Sequence, residues 1–308
     1  MKDSTKSKLR VKVIANPSAG AGTSHEQIPV IRKKIEELFN DVEFSLTNGP
    51  GDAVRLARDA VSNNFHRVIV VGGDGTVSEA VQGLARTGIV LGIIPFGKNN
   101  DFYRTITNDL SLDKALRIIS QGEVVKIDTG IAGKRAFVNS VNLGVQAQAL
   151  EILADNNDSS LSRNEFVLNY KAVKNRKQLE YILKIDSVQI KEKLDIITIN
   201  IGKYSPRGLV FTPFADNSDG LFDVCIVKRR RKLRLYLDLL RARSGLRPRN
   251  TRIRMYRCRQ VSIDSDSDVP LYIDGDKSVL IGTNKSIKII PQSLKILKEP
   301  AKAVKQDK

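Results

Sequence analysis

Residues 67–84 read Arg67-Val-Ile-Val-Val-Gly72-Gly73-Asp74-Gly75-Thr76-Val-Ser78-Glu79-Ala-Val-Gln-Gly-Leu84. The apolar run Val68 to Val71 predicts a strand buried on both faces, the pattern of a parallel sheet. Gly72, Gly73 and Gly75 allow a sharp turn and the close approach of a ligand to the backbone. Thr76 with Glu79 three residues on predicts a capping box, so that a helix begins at about Thr76 with its first amides facing the glycines, an arrangement suited to an anion. Asp74 would repel a bare phosphate unless a metal ion or a basic group intervened, so a nucleotide phosphate with Mg2+ is the guest these residues suit. A plain strand-turn-helix corner explains one glycine pair, but not the coincidence of glycines, acid, cap and buried strand. Ser78 stands where the third glycine of a dinucleotide fingerprint belongs, which excludes that motif.

The same stretch resembles the GGDGTxNEVVNGL signature of the diacylglycerol kinase catalytic family, with Ser78 in place of the usual Asn. The GGDG core is shared with NAD kinases and some phosphofructokinases, so the core alone leaves the substrate open. Further segments follow in the family's order. Asn16-Pro17-Ser18-Ala19-Gly20 resembles the NPxxG motif that lines the nucleotide phosphates, and Thr47-Asn-Gly-Pro-Gly-Asp52-Ala53 resembles the T-x-GPGDA turn, with Asp52 suited to cap the next helix. Gly97-Lys98-Asn99-Asn100-Asp101-Phe102-Tyr103-Arg104 is similar to GTxNDFAR, Lys98 replacing Thr. The resemblance implies that ATP is held by Asn16, Pro17, Ser18, Ala19, Gly20, Thr47, Gly72, Gly73, Asp74, Gly75, Thr76, Glu79, Lys98, Asn100 and Asp101. Gly92 to Lys98 nearly spells a P-loop, yet Asn99 replaces the Mg-binding hydroxyl and Ile93 and Ile94 look like strand interior, so that reading is rejected.

Strands at 11–15, 42–47, 68–71 and 89–95 alternate with helices at 25–39, 52–61 and 76–86, which predicts a parallel α/β nucleotide-binding domain over residues 1–126. From Ile127 short strands dominate, at 127–131, 135–142, 181–190, 194–201, 209–213, 221–227, 256–263 and 271–273, with helices at 166–180 and 233–243. They predict a β-sandwich domain over 127–286. The resemblance implies the same, that this domain takes the lipid substrate, and that residues 287–308 return to the first domain.

Asp216 and Asp219, three residues apart in a glycine-ended turn, suit one hard cation or simply an acidic hairpin turn. The resemblance implies a structural Mg2+ held by both, with the Leu221 carbonyl. Tyr272-Ile273-Asp274-Gly275-Asp276 resembles the family's hDGE motif, whose last carboxylate is implied to be the general base, here Asp276. Asp128 matches a second carboxylate near the site. Asp276, Asp128 and Asp74 are thus the candidate catalytic residues, and the two histidines, His25 and His66, fall in no motif.

The 308 residues carry 51 Lys and Arg against 34 Asp and Glu, a net charge of +17, and 41% of residues are hydrophobic, enough for two cores. Between Lys228 and Arg259 fourteen basic residues face one acid, Asp238. Such a block suits an anionic membrane face, nucleic acid or solvent, and scarce aromatics disfavour nucleic acid. No apolar run is long enough to span a bilayer and the first residues lack the core of a signal peptide. Cys225 and Cys258 lack metal spacing and fit a reducing compartment.

The expectation is a cytoplasmic, peripheral inner-membrane lipid kinase using ATP and Mg2+, with diacylglycerol the default acceptor, and the sequence leaves room for a homodimer. The acceptor is expected in a cleft between the domains, near Asp74, Asp101, Asp128 and Asp276. The rivals are a kinase of a soluble substrate such as NAD and a non-catalytic binder of anionic lipid or nucleic acid.

Overall fold

The computed structural model describes residues 7–155, 164–177, 179–245, 252–265, 269–280 and 285–300. The chain divides into two compact units, one formed by the residues up to Ile127 with those from Ser293 onward, the other by Asp128–Gln292.

The first unit is an α/β layer structure. Strands β1 (Ser7–Ala15), β2 (Phe39–Leu46), β3 (Arg67–Gly72) and β4 (Val90–Pro95) are parallel and lie in the order β2-β1-β3-β4. The end of β15 (Lys285–Lys298) adds a fifth parallel strand, with Lys295 opposite Val90. Val68 to Val71 are fully buried, as strands covered on both faces must be. Helices α1 (Thr23–Leu38), α2 (Asp52–Ser62), α3 (Asp74–Leu84) and α4 (Leu112–Gln121) fill the connections. In α2 the buried residues Ala53, Leu56, Ala57 and Ala60 fall at helical spacing on one face. From β1 the chain leaves for β2 on one side, and from β3 it leaves for β4 on the other. The carboxyl ends of β1 and β3 therefore flank a topological switch point, where open α/β sheets form their ligand crevice.

The second unit is a β-sandwich with a helical cover. One sheet runs β14 (Asp276–Leu280), β13 (Val269–Ile273), β7 (Ser140–Gly144), β9 (Val188–Asn200), β10 (Phe222–Lys228), β11 (Ile253–Cys258), all antiparallel. The first half of β9 crosses into a second sheet with β8 (Glu180–Ile185), β12 (Gln260–Ser265) and the start of β15. The strands β5 (Glu123–Ala132) and β6 (Arg135–Phe137) pair as a hairpin. Between the sheets lies an apolar core that includes Phe137, Leu143, Leu183, Ile197, Phe222 and Val261. On the outer face of the first sheet, Ile196, Cys225 and Val227 meet helices α5 (Val145–Asp155), α6 (Glu165–Lys174) and α7 (Lys232–Arg243) in a second core.

Several expected elements come out differently. The strand predicted over 135–142 is cut in two, because the amides of Val138 and Asn139 donate to the Asp274 carboxylate and leave the ladder. Residues 209–213 are no strand: Leu209, Val210 and Phe211 are buried, and the Val210 amide donates to the Ala242 carbonyl at the end of α7. The helix expected to reach residue 180 stops at Lys174, whose carbonyl accepts from Lys232 Nζ. Helices α4 and α5 were not anticipated. Arg230, inside the supposed surface block, is buried and ion-paired with Asp238, the one acid of that block. Arg247 and Arg249 of the block lie outside the described residues. Among the described residues no helix is long and apolar enough to cross a membrane.

Candidate active site

At the switch point of the first unit is a pocket of about 400 Å³ lined by three turns: Asn16, Ser18, Ala19 and Gly20 after β1; Thr47, Asn48, Gly49, Pro50 and Ala53 after β2; and Gly73, Gly75, Thr76 and Glu79 after β3. Gly97, after β4, completes it. These motifs lie far apart in sequence, and parallel strands bring their carboxyl ends to one edge.

Long-range hydrogen bonds lock the turns together. Asn16 donates from Nδ2 to Thr76 Oγ1 at 3.1 Å, and its Oδ1 accepts the Ser18 amide at 2.9 Å. The expected capping box does not form. Helix α3 starts at Asp74, two residues earlier than predicted, with the extended Gly73 as its N-cap and no side-chain cap. Glu79 instead reaches across to the next turn and accepts the amides of Gly51 at 2.8 Å and Ala53 at 3.2 Å. It thereby caps α2, whose N-cap, Gly51, has φ 86 and no side chain of its own. Asp52, expected to cap α2, lies inside its first turn and accepts the Asn48 amide at 2.7 Å.

Gly73 and Gly97 show what the glycines are for. A Cβ on Gly73 would lie 2.8 Å from the Gly97 Cα, and one on Gly97 would lie 2.6 Å from the Gly73 Cα. Two loops thus touch backbone to backbone beside the pocket. Asn100, in the left-handed region at φ 50, braces the contact: its Oδ1 accepts the Gly97 amide at 2.8 Å and its Nδ2 donates to the Gly97 carbonyl at 2.7 Å. Asp74 braces it again, accepting the Phe102 amide at 3.2 Å and the amides of Asn100 and Asp101. Burial raises the Asp74 pKa, and those three amides and Arg104 oppose the rise.

The amides of Asp74, Gly75 and Thr76 open α3 without intrahelical acceptors and carry the positive end of its dipole, the means by which helix starts hold phosphate. Of the fifteen predicted nucleotide residues, Asn16, Ser18, Ala19, Gly20, Thr47, Gly73, Gly75, Thr76 and Glu79 line the pocket. Pro17, Gly72, Asp74, Lys98, Asn100 and Asp101 stand behind or beside it, with Asp101 and Asn100 buried and Lys98 exposed.

The other candidates belong to the second unit. Asp128 is fully buried, accepting the Gly220 amide on Oδ2 and the Gln292 amide on Oδ1, each at 2.7 Å. It anchors the turn that carries Asp216 and Asp219. Asp216 accepts the Ser218 amide and hydroxyl, and Asp219 accepts the Leu221 amide at 2.9 Å while its other oxygen pairs with Arg257. Neighbouring Asp223 has its pKa raised, by burial first and then by the charges of Asp219 and Asp216, and its Oδ2 is buried without a hydrogen-bond partner among the described residues. Arg257, paired with Asp219 and near Asp223, opposes that rise. No group of three or more His, Cys, Asp or Glu among the described residues is placed to hold a metal ion. Mg2+ commonly takes one or two carboxylates and keeps waters, and the expected ligands Asp216, Asp219 and Leu221 lie in one turn, where Arg257 competes for Asp219.

Asp276 is half exposed, and its Oδ2 is 2.6 Å from Arg135 Nη2. Two residues earlier lies a carboxylate that the motif reading passed over. Asp274 is buried at φ 50 and accepts the amides of Val138, Asn139 and Ser140 at 2.8–2.9 Å. Burial pushes its pKa up to about 6 against those bonds and Arg135. The Asp-Gly pair was the available signal. Sequence reading also missed a buried polar patch on the outer face of the first sheet. Tyr272 sits opposite Asn142 there, α5 packs on β7 and β13, and α6 packs on α5. Asn142 Oδ1, both amide atoms of Gln146, Asn169 Nδ2 and the Tyr272 hydroxyl are buried without hydrogen-bond partners among the described residues.

A parallel α/β unit with a glycine-lined crevice at its switch point, followed by a β-sandwich unit, is the layout of a nucleotide-using phosphotransferase. Residues 10–132 match the diacylglycerol kinase catalytic domain, and residues 139–298 match the YegS C-terminal NAD kinase beta sandwich-like domain. The chain belongs to this family of two-module kinases and is a phosphotransferase. A diacylglycerol kinase of Staphylococcus carnosus is 26% identical over 87% of this chain and 88% of its own, and one of Staphylococcus saprophyticus is 23% identical over the same shares. Two crystal structures from Bacillus anthracis share the fold. One superposes with a TM-score of 0.81 at 23% identity, covering 98% of this chain and 100% of the other; the second, of a diacylglycerol kinase, has a TM-score of 0.74 at 21% identity, covering 97% and 100%.

Proposed function

We propose that the protein transfers the γ-phosphoryl group of ATP to a lipid hydroxyl, with diacylglycerol as acceptor, and that it works as a cytoplasmic protein on the inner membrane face. The pocket at the switch point carries this reading: lined by helix-start amides and glycines, and walled by the motifs that the sequence marks for nucleotide binding. In this reading the amides of Gly75 and Thr76 hold phosphate oxygens, and Glu79 keeps the Thr47–Ala53 turn over the nucleotide. Asp74 keeps the Asn100–Phe102 segment in place. Mg2+, when bound, neutralises phosphate charge that would repel the incoming hydroxyl. Asp276 takes the hydroxyl proton, held in direction by Arg135, and Asp128 shapes the turn of the Asp216 and Asp219 site. The buried polar patch around Asn142, Gln146 and Tyr272 supports an acceptor that carries hydrogen-bonding groups on an apolar body.

The test is incubation of the purified chain with γ-labelled ATP, Mg2+ and separate acceptors: diacylglycerol, other lipid alcohols, and NAD. Label in diacylglycerol is the expected outcome. Label in NAD alone overturns the lipid reading, and hydrolysis or transfer that persists undiminished in Asp74→Asn removes that residue from the site.

A further inference from the structure

The helices α6 and α7 each bury one apolar face and expose another. In α7, Leu235, Leu239 and Ala242 are in the core, while Leu233 and Leu237 are 71% and 47% exposed. In α6, Leu168, Ala172 and Val173 are buried, while Phe166 and Tyr170 are 60% and 57% exposed. Single exposed apolar residues are ordinary; two pairs at i,i+4 spacing on neighbouring helices are a patch.

The helices are antiparallel neighbours. Tyr170 meets Tyr236 edge to face with ring centroids 6.4 Å apart, and four residues further along α6 the Lys174 carbonyl accepts from Lys232, four residues back along α7. Each exposed apolar pair leads at the next turn to a base: Phe166 and Tyr170 to Lys174, Leu233 and Leu237 to Arg241. Arg231 and Arg234, also exposed, flank the leucines. Nucleic acid gives leucine no role, and a protein partner would not demand a rim of one sign. Apolar side chains set among cations are the composition that lies in the headgroup and acyl boundary of an anionic bilayer.

We propose that the outer face of α6 and α7 is an insertion surface for anionic membranes, with Phe166, Tyr170, Leu233 and Leu237 entering the acyl boundary and the bases contacting lipid phosphates. This rests on the reading of the protein as a membrane-working kinase, and goes beyond it in making docking depend on apolar insertion as well as on charge. The bilayer is met by the second unit, through helices on the outer face of its first sheet.

The chain has no tryptophan, so a single one reports alone. Leu237→Trp and Leu233→Trp, both at exposed positions, are mixed with vesicles of phosphatidylcholine and phosphatidylglycerol, with and without brominated acyl chains. Val188→Trp, at a 45% exposed position on β9, is the control. Emission of the α7 tryptophans shifts to the blue and is quenched by bromine, while the control does neither. The double change Phe166→Ser with Leu233→Ser lowers vesicle affinity roughly tenfold or more and leaves the melting temperature in place. Vesicle binding without shift or quenching at either α7 position, or serine changes without effect on affinity, overturns insertion in favour of charge alone. A shift that grows with protein concentration in the absence of vesicles assigns the face to a second copy, and a shift on RNA but not on vesicles assigns it to nucleic acid; either outcome overturns the proposal. The fluorescence needs neither ATP nor acceptor. Insertion without lipid phosphorylation therefore sinks the kinase reading alone, and phosphorylation without insertion sinks the docking surface alone.

Discussion

Asp74 in the first unit and Asp274 in the second are built alike. Each precedes a glycine, Asp74 is half-buried and Asp274 buried, and each carboxylate collects the amides of three consecutive residues from a distant segment: Asn100 to Phe102 for Asp74, Val138 to Ser140 for Asp274. In both, burial raises the pKa against those bonds. What differs is the surroundings. Asp74 opens a helix between two glycines that line a pocket, whereas Asp274 lies in a β-hairpin turn with Asp276 two residues beyond it. A perturbed carboxylate wrapped in amides therefore marks a fold joint as readily as a site. The neighbouring open space, not the shift, tells them apart.

Mutants can pull this comparison apart. The largest effect is expected next to the second joint: Asp276→Asn lowers turnover by ~10²- to 10⁴-fold with nucleotide affinity nearly unchanged, as loss of a positioned base does. Unaltered turnover, measured with the acceptor that the labelling panel identifies, would leave Asp128 or Asp74 as the base. Asp74→Asn is expected to lower turnover by about 10²- to 10³-fold, in line with the loss of a group that organises the transition-state charge. Its melting temperature should fall less than that of Asp274→Asn. If Asp274→Asn instead loses turnover per folded molecule as heavily as Asp74→Asn, the two joints are alike in function as well as in build.

Asp274→Asn, read by chemical denaturation, should cost about 1–3 kcal/mol, because an amide offers one acceptor oxygen to three buried N–H groups. Its pH dependence has a definite sign. The folded protein holds the Asp274 proton more tightly than the unfolded chain, so this group's contribution to stability is full below pH ~4 and is lost as pH rises through about 6, a loss of about 3 kcal/mol. The stability of the parent minus that of Asp274→Asn should decline from pH 4 to 6 and be flat above. A difference independent of pH would show that Asp274 titrates normally. The smallest effect concerns the acidic turn: Asp216→Ala should lower the melting temperature by a few degrees when Mg2+ is present and hardly at all in chelator, since a bound ion stabilises only the folded state. Equal loss in both conditions would make the turn an ordinary one.

Much of the first unit was legible in the sequence. Val68 to Val71 read as a covered strand, and the glycine turns at strand ends as the place where a ligand enters, because these depend on side-chain type and on spacing of a few residues. The second unit was less legible. Its helix α5, the early end of α6 and the break at Val138 and Asn139 depend on partners far along the chain or on a core built by several strands.

The sequence by itself determined the order of strands, turns and helices of the first unit as far as β4, the glycine-bounded pocket motifs, and the set of acids available for chemistry. Only the tertiary structure decided what each polar group does. Glu79 and Thr76 have the spacing of a capping box, yet Glu79 caps α2 because folding sets the bare amides of Gly51 and Ala53 within its reach. Arg230 reads as one more surface cation, yet it is buried against Asp238. The physical reason is common to both. Local spacing fixes the backbone's short-range hydrogen bonds, whereas a charged or acceptor side chain satisfies itself with whatever group the closed fold brings within about 3 Å, and that distance is not written along the chain.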